Sequence, residues 1–414
     1  MPAADIIIAN ARILTMDEAA PRAEALAIAG NRLLGIGNRD DIAGLRAKHT
    51  RVIDARGKTV LPGFIESHMH LFMGAVELDS LMVTGLEGLD ALTKVVRDYA
   101  RTRSQDRIIV ANGGNYTMIR PDGAISRHDL DQILPDRPFI LCCFDHHTVW
   151  ANTRALEAAG LLKGRDLPPG NEIVMGPDGL ATGELKEPAA YGPVFELTPT
   201  QGREGLGLAT GEDPVPPATL SQRRTDMAAL KRGLAYCASL GITSIHNMDG
   251  NFYQLALLDA LRQEGDLICR VQVPWHQKNY FPPARIDEAL EMRRHYNDDM
   301  LYSGRVKIFM DGVLESMTAL MLDDYPNHPG ERGLPLFTAS EFNEVATRAD
   351  KHGLQISVHA IGDGAVRRTL DGYEAARKAN GRRDSRHRIE HIEVIDPADI
   401  PRFKELGVIA SMQP

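Results

Sequence analysis

The chain has 414 residues, of which 43% are hydrophobic and 25% charged, and its net charge is −9. This length exceeds what a single core normally reaches, so we expect one large globular domain with an appendage or an insertion. No basic block and no apolar run of membrane-spanning length occurs, which argues against nucleic acid and membranes as partners. The start of the chain lacks a basic segment followed by a cleavage site, so we expect a cytoplasmic protein.

The first 60 residues have the pattern of a small β structure. Short apolar runs at residues 6–8, 25–28 and 33–36 alternate with turn clusters such as Gly30-Asn31 and Gly37-Asn38. Such alternation predicts short antiparallel strands. We therefore assign residues 1–60 to an N-terminal β appendage that precedes the main domain.

A strand at residues 61–68 opens the main domain and carries a histidine pair at its end. It is entered through Pro62-Gly63 and leads into His68-Met69-His70. Residues two apart on a strand point to the same face, so both imidazoles can reach one cation. Two hydrogen-bonded histidines at a strand end are the alternative interpretation, and this pattern alone leaves both open.

Residues 71–240 separate this strand from the next strand of the main domain, far more than a crossover requires. We predict an inserted subdomain at about residues 72–220, with strands of its own at 107–111 and 138–144. From residue 241 onward strands alternate with helices. The predicted strands are 242–246, 270–275, 305–310, 354–359, 388–394 and 408–412, and the predicted helices include 338–352, with a capping box from Thr338 to Glu341, and 397–406.

This alternation predicts a parallel sheet covered by helices on both faces. With the strand at 61–68 it supplies seven of the eight strands of a barrel, so the predicted fold class is α/β, a (β/α) TIM-like barrel over residues 61–414 with a large insertion after its first strand. The eighth strand is missing from this pattern.

Three further residues on these strands are candidates for a metal site. His359 and His391 each lie at or near a strand end, and Lys307 interrupts the apolar run 306–310. A buried ammonium is costly, which leaves three alternatives: an ion pair with Asp311, a depressed pKa, or reaction with CO₂ to a carbamate that binds cations. The sequence does not choose among them.

Several ordered motifs together resemble the amidohydrolase superfamily, in particular the branch of the N-substituted formamide deformylases (amidohydrolase family 3). The motifs are residues 59–70 with the histidine pair, 306–312, 359–365 and 388–391, and, in the insertion, 145–152 and 183–187. The resemblance spans nearly the whole chain and implies an N-terminal β-sandwich beside the barrel.

The resemblance also implies a divalent metal centre, with zinc as the expected ion and one or two ions per chain. His68 and His70 would hold one ion, His359 and His391 the other, and a carbamylated Lys307 would bridge them. An activated water would then attack the substrate.

In the insertion, the matching motifs suggest substrate-binding residues. These are His147, Trp150, Asn152 and Glu187. The alternative is that they pack or hydrogen bond within the subdomain, since a tryptophan among apolar residues is ordinarily part of a core.

Two features depart from the family pattern. Glu66 stands where relatives often have aspartate, and the aspartate expected from an eighth strand, which would ligate metal and act as general base, is absent. We therefore assign no catalytic residue. A fragment of a longer polypeptide is the favoured explanation, because an open barrel exposes sheet edges; a rearranged carboxylate or an inactive protein are the alternatives.

The predicted function is hydrolysis of a non-peptide C–N bond, of amide or formamide type, in a small molecule. The alternatives are a metal-dependent hydrolase of an ester or a cyclic amide, and a non-catalytic barrel relative that serves as a binding or regulatory protein. Association into a homo-oligomer is left open.

Overall fold

The computed structural model describes residues 3–121, 124–168, 171–314 and 316–413. The chain forms two compact units, Met1–Ile65 and Glu66–Pro414.

The N-terminal unit contains two small sheets and one short helix. Its elements are β1 (Ile6–Ala9), β2 (Arg12–Leu14), β3 (Arg22–Ala23), β4 (Ala25–Ala29), β5 (Arg32–Gly37), α1 (Arg39–Ala43), β6 (Arg51–Asp54) and β7 (Thr59–Val60). The sheet orders are β5-β4-β1-β6 and β3-β2-β7. Pairing is antiparallel for β1–β4, β4–β5 and β2–β3, as predicted. It is parallel for β1–β6 and β2–β7, where the prediction was wrong, because local turn patterns do not specify the direction of a partner far along the chain.

The next unit begins with a strand and continues into a mixed sheet. After β8 (Phe64–Met69), the sheet strands are β9 (Leu81–Met82), β10 (Ile109–Gly114), β11 (Phe139–Cys143), β12 (Thr148–Ala151), β13 (Glu172–Met175) and β14 (Ala181–Lys186), in the order β13-β14-β12-β11-β10-β9. The accompanying helices are α2 (Leu71–Glu77), α3 (Leu89–Thr102), α4 (Arg127–Ile133), α5 (Thr153–Ala158), α6 (Pro188–Phe195) and α7 (Leu206–Ala209), with a 3₁₀ turn at Arg203–Gly205. The predicted strands 107–111 and 138–144 are confirmed as β10 and β11. The other four strands, β9, β12, β13 and β14, were not predicted from the sequence.

A set of largely parallel strands follows. They are β15 (Ile242–Asn247), β16 (Arg270–Gln272), β17 (Trp275–His276), β18 (Leu301–Tyr302), β19 (Arg305–Phe309), β20 (Gln355–Ala360), β21 (Arg388–His391) and β22 (Ile409–Ser411). The two sheet orders are β18-β16-β15-β8 and β17-β19-β20-β21-β22. Two residues interrupt β16/β17 and two interrupt β18/β19, so the segments fill seven strand positions within the described ranges. Each of the six strands predicted after residue 241 is confirmed.

Helices connect these strands and cover the sheet. They are α8 (Leu220–Ser239), α9 (Phe252–Glu264), α10 (Ile286–His295), α11 (Ala339–Lys351), α12 (Asp363–Asn380) and α13 (Ile400–Leu406), with a 3₁₀ turn at Pro283–Arg285. The capping box from Thr338 to Glu341 is present at the start of α11, as predicted. Helices α11 and α12 pack closely at Gly372, where an added Cβ would lie 2.3 Å from the Phe342 ring. One continuous core joins the inner faces of these helices to the strands. No helix in the described part of the chain is long and apolar enough to cross a membrane.

Asp350 organises a buried polar cluster at the end of α11. Its carboxylate accepts hydrogen bonds from Arg383 Nε at 2.7 Å and from His387 Nε2 at 3.1 Å, and further ones from Ser385 and Asn380. Burial opposes ionisation, but these donors hold the pKa of Asp350 well below its usual range.

We expect Asp350→Asn to lower the free energy of unfolding by about 2–3 kcal/mol at pH 7, since it leaves buried donors and a guanidinium without their anion. Because the folded-state pKa is depressed, this contribution is complete above the unfolded pKa of about 4 and is lost as pH falls through the folded value. Urea unfolding of both proteins from pH 7 to pH 3 measures it. Asp384→Asn is the control, because the Asp384–Arg386 ion pair is exposed; a cost for Asp350→Asn that is independent of pH would contradict the assignment.

Candidate metal centre

The predicted metal ligands lie at or near the carboxyl ends of neighbouring barrel strands. Lys307 is on β19, His359 on β20 and His391 on β21, while His68 is on β8 and His70 directly follows it. Parallel strands present their carboxyl ends at one edge of a sheet, which is where barrel proteins build their sites. Sequence spacing alone therefore places these side chains at one end of the fold.

The structure brings the predicted histidines together. The ring centroids of His68 and His391 are 4.8 Å apart, those of His359 and His391 are 4.6 Å apart, and those of His68 and His70 are 5.8 Å apart. Residues from three strands, separated by up to about 320 positions in sequence, thus form one imidazole cluster.

Buried carboxylates fix the orientation of the first two rings. His68 Nδ1 lies 2.9 Å from Glu390 Oε2, and His70 Nδ1 lies 2.9 Å from Asp249 Oδ1. Burial opposes ionisation of Glu390, but the His68 hydrogen bond and the charges of Lys307 and Arg388 hold the pKa of this carboxyl well below its usual range. An ionised carboxylate accepts the Nδ1 proton, so each ring keeps an Nε2 lone pair for a ligand. This carboxylate–histidine arrangement is typical of metal-binding histidines.

The other two histidines are oriented by the backbone. His359 Nε2 donates to the carbonyl of Gly312 at 2.9 Å, which leaves Nδ1 with its lone pair. His391 and Ile392 have φ angles of +77° and +57°, in the left-handed region, which a β-branched residue such as Ile392 rarely occupies. Such strain persists only where surrounding structure enforces it, and it is concentrated at functional sites.

Three of these imidazoles are held in the neutral form. Burial lowers the pKa of His68 to about 4 and, with Lys307 and His68 nearby, that of His391 to about 3. Burial, His391 and Lys307 also place the pKa of His359 well below its ordinary value. Histidine must be neutral to donate a lone pair to a cation, so the protonation states suit metal binding.

Lys307 is fully buried beside this cluster. Its Nζ has no hydrogen-bond partner within the described residues and lies 4.7 Å from the centroid of the Phe309 ring. Burial lowers the pKa of Lys307 to about 8. An amine buried without a partner is costly, which indicates that a further group completes its environment.

The structure excludes an ion pair between Lys307 and Asp311, one of the alternatives that the sequence left open. The Asp311 carboxylate accepts hydrogen bonds from the backbone amides of Leu320, Ile361 and Gly362. It is therefore engaged by loop backbone, although its position four residues after Lys307 suggested a shared face. A neutral or a modified amine remains.

The donor set fits a divalent cation. It combines four imidazoles, three of which have one nitrogen held by a hydrogen bond, with two buried atoms that lack partners in the described ranges, Lys307 Nζ and Glu390 Oε1. Among the residues that the structure describes, no group of three or more His, Cys, Asp or Glu side chains is placed so that it could hold a metal ion. The role of Lys307 as an additional ligand therefore belongs to the proposal below.

Sequence reasoning missed several residues of this site. Asp249 and Glu390 orient the histidine pair, and His276 is fully buried and stacks on Phe309, with ring centroids 5.3 Å apart. Its Nδ1 lies 2.8 Å from the Gly207 carbonyl. The available signal was an acidic or imidazole side chain just at or after a strand end, as in the sequence His246-Asn-Met-Asp249.

Of the predicted substrate-binding residues, two pair with each other. His147 Nδ1 lies 2.9 Å from Glu187 Oε1, and both side chains are about one-third exposed. A substrate contact by His147 or Glu187 stays a prediction.

The other two lie inside the insertion. Trp150 is buried and packs edge-on against Tyr116, with ring centroids 5.2 Å apart. Asn152 is fully buried; its side chain accepts from the amides of Phe139 and Ala155 and donates to two backbone carbonyls. These contacts are structural, and a substrate contact by either residue stays a prediction.

Asn152→Ala is expected to lower the free energy of unfolding by about 3 kcal/mol, because it leaves four buried backbone groups without partners. Denaturant unfolding followed by circular dichroism measures the effect. Unchanged stability with impaired catalysis would instead support the predicted substrate contact and would contradict the structural role.

Comparison with known proteins identifies the class of this fold and then the family. The structure of an uncharacterized metal-dependent hydrolase from Pyrococcus furiosus is similar, with a TM-score of 0.69 and 26% identity over 99% of this chain and 77% of that one. The fold is thus a TIM-barrel-like α/β fold. The model of the amidohydrolase family matches residues 51–414. The chain belongs to the amidohydrolase family, and these similarities support a hydrolase.

Two curated relatives cover almost the whole chain. Protein LONG AFTER FAR-RED 3 from Arabidopsis thaliana is 30% identical over 99% of this chain and 68% of its own length. N-substituted formamide deformylase from Arthrobacter pascens is 26% identical over 98% of this chain and 72% of its own length. The resemblance to the formamide deformylase branch is therefore confirmed, at low identity.

Proposed function

We propose that the protein is a metal-dependent hydrolase that cleaves a non-peptide C–N bond, of amide or formamide type, in a small molecule. The observation that carries this proposal is the cluster of neutral, oriented imidazoles beside the partnerless Nζ of Lys307. The N-substituted formamide deformylase among the relatives supports the choice of bond.

In this proposal His68 and His70 would hold one cation, His359 and His391 would hold a second, and a carbamylated Lys307 would be a ligand to both. Zinc is the proposed ion, since imidazole nitrogens are ligands that it favours. A bound divalent cation lowers the pKa of water and polarises the carbonyl under attack.

The protein's own contribution is orientation and burial. Hydrogen bonds to Glu390 and Asp249 fix the orientation of the His68 and His70 rings. A hydrogen bond to the Gly312 carbonyl fixes that of His359. His147 and Glu187 are proposed to position the substrate from the insertion side, with Trp150 and Asn152 as further candidates. The general base implied by the family resemblance, an aspartate on an eighth strand, stays a prediction; the described residues supply seven strand positions.

The test compares three substrates on protein reconstituted with zinc: an N-alkylformamide, the matching alkyl formate ester and a cyclic amide. We expect release of formate and amine from the formamide at a rate above that of the ester and the cyclic amide, relative to their uncatalysed rates. Faster turnover of the ester or the cyclic amide would reject the choice of bond. Zinc binding without turnover of any of them would favour a binding or regulatory protein.

A further inference from the structure

A partly open cavity of about 430 Å³ lies between the insertion and helix α8, and the described residues that line it do not include those of the imidazole cluster. The inner face of β10, helix α2 and helix α8 contribute to its wall, and Glu77, at the end of α2, lies on its rim. Glu77 is seven residues after His70 on a helix that begins just after this histidine, which corresponds to about 10 Å along the axis. The volume falls in the range of ordinary small-molecule sites.

One face of β10 supplies an apolar wall and a polar group at its end. Ile108, Val110 and Asn112 alternate along the strand, and all three side chains line the cavity. Asn112 is 6% exposed, and its side-chain amide makes no hydrogen bond in the part of the chain that the structure describes. The register with β11 shifts directly after Asn112, and Gly113 has a φ of +85°. A bulge at this point changes the direction of a side chain. A buried amide without a hydrogen-bond partner indicates that a ligand can supply one.

The charges around the cavity favour a cation. Its arginines, Arg103 and Arg232, both pair with Asp79. Glu204 is 7% exposed, and one of its carboxylate oxygens has no partner within the described ranges. Its neighbour Arg203 forms its ion pair with Asp226, at 2.7 Å. Burial raises the pKa of Glu204, although a hydrogen bond with Thr200 and the charge of Arg203 act in the opposite direction.

We propose that this cavity is a second small-molecule site, which binds a primary amine with an apolar body. The ammonium group donates to the Asn112 amide oxygen and to the Glu204 carboxylate, and the alkyl or aryl body packs on Ile108, Val110 and the apolar side chains of α2 and α8. The inference is independent of the proposed hydrolase activity.

Three probes with the same body and different head groups test it: hexylamine, hexanol and hexanoate, titrated calorimetrically into metal-free protein at pH 7. Hexylamine is expected to bind at least about tenfold more tightly than hexanol, the gain of one hydrogen bond to a charged group, and hexanoate is expected not to bind. Equal affinity for the amine and the alcohol, or a preference for the acid, overturns the proposal.

Variants locate the site. Asn112→Leu keeps the size of the side chain and removes the head-group contact, and Glu204→Gln removes the charge; each is expected to abolish the preference for the amine. Glu157→Gln, an exposed position on α5 outside the cavity, is the matched control and leaves binding unchanged. If Asn112→Leu does not fold, Glu204→Gln decides. Binding of hexylamine that survives Glu204→Gln, or that is lost in His70→Ala, places the amine elsewhere and rejects the cavity site.

Discussion

Replacing Lys307 by methionine is expected to remove the mass of one CO₂ from the native protein and to reduce hydrolysis by about a thousandfold or more. The reasoning is that a carbamate at Lys307 is the proposed bridging ligand, and a catalytic cation contributes several kcal/mol to transition-state stabilisation. Native mass spectrometry and metal analysis measure the change without relying on activity.

The charges beneath the imidazole cluster support the modification. Arg305 and Arg388 are both buried, and Arg388 donates to Glu390 at 2.8 Å, whereas Arg305 bonds Gln355 and His246 and has no carboxylate partner among the described side chains. With an ammonium at Lys307, three cations lie near the carboxylates of Glu390 and Asp249, and the ammonium has no hydrogen-bonded partner among the described residues. A carbamate at this position removes that buried positive charge.

A matched control is available in the same environment. Lys278 Nζ also lies over the Phe309 ring, at 5.8 Å, but donates to the Leu208 carbonyl. Lys278→Met is therefore expected to retain the CO₂ mass. Stability provides a second readout: metal-free Lys307→Met is expected to be at least as stable as the unmodified protein, because the variant removes a buried amine without a partner. If the masses of the unmodified protein and Lys307→Met differ only by the substitution itself, with no loss of CO₂, the amine is not carbamylated.

The positions of the metal-binding candidates could be predicted because each belongs to a local pattern. An alternating or continuous apolar run with histidine at its end predicts both the strand and the direction of the side chain, as for His68 and His359. The alternation of strands and helices then predicts a barrel, in which the carboxyl ends of the strands lie close together. These two steps need only short stretches of sequence.

The partners of the same residues could not be predicted, because they depend on packing between distant segments. Glu390 approaches His68 from 322 residues away, and Asp249 approaches His70 from 179 residues away. The pairing of Lys307 with Asp311 was a reasonable local expectation that fails because three loop amides bind the Asp311 carboxylate first. For the same reason, the parallel ladders of the N-terminal unit and four strands of the insertion appeared only in the structure.

Replacing His70 by alanine is expected to lower the zinc affinity of the protein at least about a hundredfold, and the same holds for His68→Ala. Structural zinc sites gain about 10–16 kcal/mol from roughly four ligands, so each ligand contributes some 3 kcal/mol or more. Asp249→Asn, which leaves the His70 ring in place but weakens its anchor, is expected to cost about 10–100-fold. His128→Ala, an exposed surface position, is the control and leaves affinity unchanged.

The order of these effects distinguishes a metal centre from a structural histidine cluster. If the rings only pack and hydrogen bond, the alanine variants lose stability in the absence of zinc, and added zinc changes nothing. If they bind a cation, saturating zinc raises the unfolding temperature of the unmodified protein by mass action and raises that of His70→Ala much less. Competition with a chromogenic chelator gives the affinities, and thermal unfolding with and without zinc gives the shift. If the unmodified protein, Asp249→Asn and His70→Ala bind zinc with equal affinity, these residues do not form a metal centre.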